Sequence, residues 1–155
     1  MNAEPTLELG DDVRSAIGRT AAPRTEVVTR RDIRKYSIAT GQTERKYLDG
    51  DVAPAMFHLA LFWDIVELDE LMPDGVSVDT LLPKFPLEKA MAGGLELKYL
   101  KPIHPGDELT ATRSLIDIYL KQGSKGPIIF YEVIMNVKDS NGDDVVWEKT
   151  TRLLR

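Results

Sequence analysis

The chain offers few side chains that can do chemistry. It has two histidines, His58 and His104, and no cysteine. His58 lies in the apolar run MFHLALFW at 56–63. An imidazole titrates near neutrality and works as a general base when a carboxylate positions it. Asp64 and Glu67 follow it within the same stretch, and no spacing singles either out as its partner. Two readings of His58 stand together: a hydrogen-bonded core or interface residue, and a group lining a ligand pocket. His104 belongs to the turn-like Lys101-Pro102-Ile103-His104-Pro105-Gly106 and is expected in solvent. A metal needs several converging ligands, and two histidines without cysteine predict no metal site. The aromatics Phe57, Phe62 and Trp63 serve either packing or a pocket wall. Gly93 and Gly94 precede a strand, where glycine marks a bulge or a close backbone approach to a ligand or a second subunit. Gly123-Ser124-Lys125-Gly126 lacks the residue order of a phosphate loop and reads as a hairpin tip, with Lys121 and Lys125 solvated. Arg30, Arg31, Arg34 and Lys35 form a basic helix face interrupted by Asp32, which reads as a solvated face.

The elements that must hold these residues follow from punctuation and periodicity. Strand-like runs cover 95–103, 108–120, 127–137 and 145–154, separated by Pro105-Gly106-Asp107, by residues 122–126 and by Asn141-Gly142. Glycine and proline supply turn geometries that strands lack, and Asn-Gly suits a two-residue type I′ hairpin. These runs predict an antiparallel meander. Ile129, Tyr131, Val133, Met135 and Val137 alternate onto one face, which must be buried. The 108–120 run mixes Leu109, Ala111 and Leu115 with Arg113 and Asp117, so a bend or bulge is expected there. A sheet apolar on one side needs a cover, and the candidates lie upstream. Residues 8–19 suit a short helix, 25–29 a short strand. Thr29 suits the N-cap of a helix that Gly41 ends. Residues 42–53 read as a polar connector. From Pro54, the residues Met56, Leu59, Ala60, Trp63 and Val66 recur at helical spacing and predict a helix on the sheet, although Phe57–Trp63 also suits a buried strand. Residues 76–91 read as an irregular loop.

At 155 residues and net charge −5, the chain is expected to be one domain, residues 1–155, with 1–7 loose. The acidic balance argues against a nucleic-acid partner. The acidic start, MNAEPTLELGDD, has no signal-peptide pattern, and the most apolar window is too short to span a bilayer. A soluble, cytoplasmic protein without membrane contact is expected.

In order, TRRDIRKYSIATG at 29–41, Ala53-Pro54 with its aromatic run, GGLELKYLKPIHPGDELT at 93–110, KQGSKGPIIF at 121–130 and the closing DSNGDDVVWEKTTRLL resemble the non-catalytic N-terminal half of MaoC-type dehydratases, the R-specific enoyl-CoA hydratases. Met91-Ala92-Gly93-Gly94 and Phe57-His58 are most similar to the mesaconyl-CoA and itaconyl-CoA hydratases. The resemblance implies an α+β hot-dog fold, an antiparallel sheet wrapped around a helix, with two such units pairing as domains or subunits. The family's catalytic half carries Gly-Asp-x-Asn-Pro-x-His after its first helix, and its Asp and His handle the proton and the attacking water. Here the matching stretch is Gly41-Gln42-Thr43-Glu44-Arg45-Lys46-Tyr47. Gln42 cannot act as acid or base, and Tyr47 titrates far from neutrality.

The resemblance therefore implies a non-catalytic subunit of an enoyl-thioester hydratase or 3-hydroxyacyl-thioester dehydratase, with no catalytic residue of its own. It would act on an acyl-CoA or acyl-carrier-protein thioester and require no other cofactor. A catalytic hot-dog partner would supply Asp and His, and the lone chain would form homodimers. Phe57, His58, Trp63, Gly93 and Gly94 are the candidate substrate-binding residues. The rival expectations are a homo-oligomeric hot-dog thioesterase, which would need Asp64 or Glu67 beside His58, and a non-enzymatic acyl-CoA-binding or scaffold protein.

Overall fold

The computed structural model describes residues 7–73 and 75–155. Five strands, β1 (Arg24–Val27), β2 (Ala90–Tyr99), β3 (Glu108–Gly123), β4 (Gly126–Asp139) and β5 (Asp144–Leu154), form one antiparallel sheet. Its order is β1-β3-β4-β5-β2. The predicted meander holds for β3, β4 and β5 only. β2 does not pair with β3; it crosses to the far edge and pairs with β5. It also begins earlier than the sequence indicates, at Ala90, and ends at Tyr99. Of the expected loose segment at 1–7, residues 1–6 lie outside the described residues, and Leu7 packs against the core.

The alternation of β4 is the firmest part of the fold. Ile129, Tyr131, Val133, Met135 and Val137 are all buried, as one face of a half-covered strand should be. β3 bulges where its pattern breaks. Leu115 pairs with Val133, but Asp117 pairs with Glu132, so Ile116 is the extra residue. Leu109, Ala111 and Leu115 are buried before the bulge and Ile118 after it. Without the bulge, Ile118 would turn to the opposite face. The β4–β5 turn departs from the Asn-Gly expectation. A type I′ turn needs positive φ at both central residues, yet only Gly142 is left-handed there, at φ 84°. The turn closes as a longer loop, with Gly142 N–H bonded to the Asp139 carbonyl at 2.9 Å.

The covering helices are α1 (Asp11–Arg14), α2 (Arg30–Ala39), α3 (Arg45–Leu48) and α4 (Phe57–Leu61). α2 begins as expected: Thr29 Oγ1 accepts the Asp32 N–H at 3.1 Å and donates to the Asp32 carboxylate at 2.6 Å. Such caps contribute about 1 kcal/mol. α2 buries Ile33 and Ser37 against the sheet. The connector 42–53 contains α3, which the sequence reading did not anticipate.

The largest correction concerns 54–71. The expected long helix is only Phe57–Leu61, followed by irregular chain and a 3-10 turn at Leu68–Glu70. Its buried residues are Phe57, His58 and Phe62, not the predicted stripe through Met56, Ala60, Trp63 and Val66. Arg24 on β1 meets the chain where the helix stops. Its guanidinium donates to the Phe62 carbonyl at 3.0 Å and to Asp64 at 2.5 Å. Trp63 is then 68 % exposed and Ile65 96 %.

Two clusters make up the core. The first joins Val28, Ile33, Phe57 and Phe62 to Leu109, Val137 and Val146. The second joins Val13 and Ala16 of the α1 region and Leu81 to Leu115, Ile129, Val133 and Leu154. Several short pieces therefore cover the sheet in place of one long helix.

Candidate active-site cleft

α2 ends at Ala39, and Gln42 follows it with its N–H on the Ser37 carbonyl at 2.9 Å. The chain then turns through α3, which carries Tyr47, and returns to the sheet where Ala53 N–H meets the Ile103 carbonyl at 2.9 Å. Between residues 52–55, His58 and the chain leaving β2 at Tyr99 lies a cleft of about 380 Å³. Tyr47 forms part of its wall, with Pro54, Ala55, Tyr99 and Ile103. This is the size of a small-ligand site.

His58 is fully buried in the wall. Its Nε2 lies 2.8 Å from Glu148 Oε2, and Glu148, on β5, is only 5 % exposed. The Thr150 hydroxyl donates to the other carboxylate oxygen at 2.9 Å. Burial pushes the Glu148 carboxyl up. Hydrogen bonds from His58 and Thr150, helped by the charges of His58 and Arg113, outweigh that and hold it below the ordinary carboxylate range. With Glu148 ionised, His58 Nε2–H is the donor of the pair. Nδ1 has no hydrogen-bond partner. The Tyr99 ring meets the imidazole edge-on at 6.1 Å, and the Tyr99 hydroxyl accepts the Met56 N–H at 3.0 Å. Met56 sits in the left-handed region at φ 67°, immediately before α4. A non-glycine residue there is strained by roughly 1–3 kcal/mol.

Neither carboxylate adjacent to His58 in sequence reaches it. Asp64 pairs with Arg24, and Glu67 caps the 3-10 turn. Glu148, ninety positions away, is the partner. A signal for it exists in the sequence. Val146, Glu148, Thr150 and Leu154 share one parity of β5, and that face is the buried one, so Glu148 occupies a core position. An acid on a buried parity requires a partner.

The other candidates are dispersed. Phe57 lies in the core, edge-on to Tyr36 at 5.7 Å. Trp63 projects to solvent, and neither it nor Gln42 lines the cleft. Gly93 is the extra residue of a bulge between Ala92 and Gly94. A Cβ there would lie 3.1 Å from the Thr151 carbonyl oxygen, so the close approach at Gly93 is to β5 of the same chain. His104 is exposed, as expected. Lys121 rests over the Tyr119 and Phe130 rings at 5.3 and 5.2 Å. Among the described residues, no helix is long and apolar enough to cross a membrane.

No curated protein matches the chain, whereas solved structures do. Over 92 % of its length it is similar to a chain of the ChsH1-ChsH2 complex from Mycobacterium tuberculosis, covering 90 % of that chain at 18 % identity and TM-score 0.66. Over 89 % it is similar to a chain of the C-terminally truncated HadBC (3R-hydroxyacyl-ACP dehydratase) complex from the same organism, covering 96 % of that chain at 18 % identity and TM-score 0.63. It also resembles the MaoC-like dehydratase from Phytophthora capsici, with TM-score 0.65 and 19 % identity over 94 % of this chain and 49 % of that one. At these identities the likeness shows the fold, which is the expected hot-dog, and two of the three neighbours are complexes. The family model described as "FAS1-like, dehydratase domain region" matches residues 15–148, nearly the whole chain, and the protein belongs to that family.

Proposed function

We propose that the chain is the non-catalytic subunit of a heteromeric enzyme that adds water reversibly to a 2-enoyl thioester, giving a 3-hydroxyacyl thioester. The observation that carries this reading is the identity of Gln42 and Tyr47. They stand where the resemblance calls for the acid–base pair, and Tyr47 borders the cleft. An amide is neither acid nor base, and a phenol ordinarily titrates far from neutrality, so the Asp and His pair is missing. The partner, a hot-dog chain with an intact Asp and His, supplies that step. This chain supplies a wall of the acyl site, which His58 lines and Phe57 backs from the core, while Trp63 stands outside it. Gly93 and Gly94 keep β2 close to β5. The thioester, of CoA or of a carrier protein, needs no further cofactor.

The sheet edge supports the pairing. β2 has β5 on one side and no strand on the other among the described residues, and it exposes Met91, Leu95 and Tyr99. An unpaired edge strand with exposed apolar residues offers its free backbone groups to another strand, even with Glu96 and Lys98 between them. Alone, the chain would satisfy it by forming a homodimer.

The test is enoyl-CoA hydration by the highly purified chain, followed as loss of the conjugated thioester absorbance. No turnover is expected until a hot-dog partner with the intact motif is added. Robust hydration, or hydrolysis of a saturated acyl-CoA, by the chain alone would overturn the reading and move the chemistry to His58 and Glu148.

A further inference from the structure

The cleft is mostly apolar, with Pro54, Ala55, Leu100 and Ile103 in its walls. Such sites orient a ligand through a few fixed polar groups. Most polar groups here are already engaged. The N–H groups of Ala53, Leu100 and Lys101 meet carbonyls at 2.9–3.3 Å. The Lys101 ammonium lies between Asp139 at 2.8 Å and Asp143 at 2.5 Å. His58 borders the cleft but is fully buried.

Tyr99 is different. It lines the cleft and is 48 % exposed, so a ligand can touch it. Its hydroxyl is also fixed in place. The ring ends β2 and lies edge-on to the His58 ring at 6.1 Å, and the oxygen accepts the Met56 N–H at 3.0 Å. A tyrosine hydroxyl both accepts at its oxygen and donates one hydrogen. Met56 takes up the accepting side, and among the described residues no protein group accepts the hydrogen in return. A hydroxyl that already accepts is the better donor, because linked hydrogen bonds polarise one another. Charge decides what it can hold. Lys101 with its two aspartates leaves one negative charge at the wall, which repels a carboxylate or a phosphate. An alkyl chain offers no acceptor. A neutral carbonyl oxygen meets both conditions.

We infer that Tyr99 is a specificity-determining residue whose hydroxyl donates to a carbonyl oxygen of the ligand held in the cleft. This rests on the thioester reading above and adds to it the group that this chain recognises. Such a ligand has two places for that carbonyl, the thioester itself and an oxo group further along the acyl chain. Tyr99 takes no part in the addition of water.

Every residue lining the cleft belongs to this chain, so the chain can be tested alone. The probes are S-hexyl-CoA, hexanoyl-CoA, S-(5-oxohexyl)-CoA and S-(5-carboxypentyl)-CoA, with binding measured by calorimetry. The first has no carbonyl, the second carries it at the thioester, the third carries it in the chain, and the fourth ends in a carboxylate. At least one of the two carbonyl probes is expected to bind about twofold to tenfold more tightly than S-hexyl-CoA, and the preferred one identifies the carbonyl. Tyr99→Phe is expected to erase that margin. Tyr47→Phe, at the other phenol of the lining, is expected to keep it. Equal binding of all four probes, tighter binding of the carboxylate, or a margin that survives Tyr99→Phe or is lost in Tyr47→Phe would overturn the inference and leave the thioester reading intact. Failure of all four to bind would overturn both. Since Tyr99→Phe also frees the Met56 N–H and can disturb the cleft, the unaltered protein gives a second readout, the infrared band of a carbon-13-labelled carbonyl in the preferred probe. Donation from Tyr99 weakens the C=O bond, so the bound band is expected below its position in an apolar solvent. A band at the apolar-solvent position would also overturn the inference.

Discussion

β4 and β2 lie in the same sheet and differ in almost every respect that governs stability. β4 sits between two strands and alternates between buried and half-buried positions along most of its length. β2 lies at the margin, and nine of its ten residues are exposed, including Leu95 at 48 %. The chain completes one side of the sheet with its own helices and loops. At the β2 edge the apolar residues Met91, Leu95 and Tyr99 stay exposed among the described residues. A strand like β4 is specified by the core beneath it, whereas β2 takes its place from its pairing with β5 and buries little of its own surface.

The contrast can be broken from either side. The largest effect on folding is expected in the paired region. Ile129→Ala or Leu115→Ala, both at fully buried positions, should cost about 2–5 kcal/mol through lost burial and a residual cavity, read from urea unfolding midpoints. A small loss would mean that the two clusters repack freely. Leu95→Asp should leave the lone chain's stability within about 0.5 kcal/mol, as exposed substitutions do. It should abolish self-association in sedimentation experiments and complex formation with a hot-dog partner, because a charge on an edge strand blocks pairing. Undisturbed assembly would place the interface elsewhere.

The acid limb of stability sharpens the comparison at the boundary of the two regions, where Glu148 pairs across to Leu97 of β2. Its folded-state affinity for protons is lowered. Its contribution is therefore complete above the unfolded-state value, near 4.3, and is lost as pH falls through the lower folded-state value. Asp139 and Asp144, held low mainly by Lys101 and Lys138, act in the same direction. The difference between the protein and Glu148→Gln isolates the buried carboxylate. The variant should lose less stability on acidification below about pH 4.3, and parallel profiles would contradict the assignment. The smallest effect is expected at Gln42, where Ala should barely change turnover of the assembled enzyme. A loss of several orders of magnitude would restore a catalytic role to this chain.

Sequence patterning disclosed the sheet more readily than the site. β4 could be read directly because alternation with period two marks a half-buried strand. Thr29 could be read as a cap because its partner, Asp32, is local. The order β5-β2 could not, since nothing in the residues of β2 distinguishes β3 from β5 as its neighbour. The run at 54–71 misled for a related reason. Its first ten residues are almost all apolar, so more than one stripe fits helical spacing, and Arg24, which binds the chain just past the helix, belongs to a distant strand. His58 is visible as a candidate, but the sequence offers only its neighbours Asp64 and Glu67 as carboxylate partners. The partner was Glu148, whose place on the buried parity of β5 becomes meaningful only when that strand is laid against the core.

Met56 gives the edge strand a further importance. It lies in a left-handed conformation two positions before His58, its N–H on the Tyr99 hydroxyl at the end of β2 and its carbonyl on the Leu59 N–H. The turn is a loaded spring and the phenol is its latch. Tyr99→Phe removes the acceptor, and His58 should register the release as a shift of its imidazole resonances, without being touched itself; unchanged resonances would mean the turn holds by packing alone. Tyr99 ends the strand at which pairing is proposed, so under that reading a subunit docked on β2 would sit next to the residue that holds Met56.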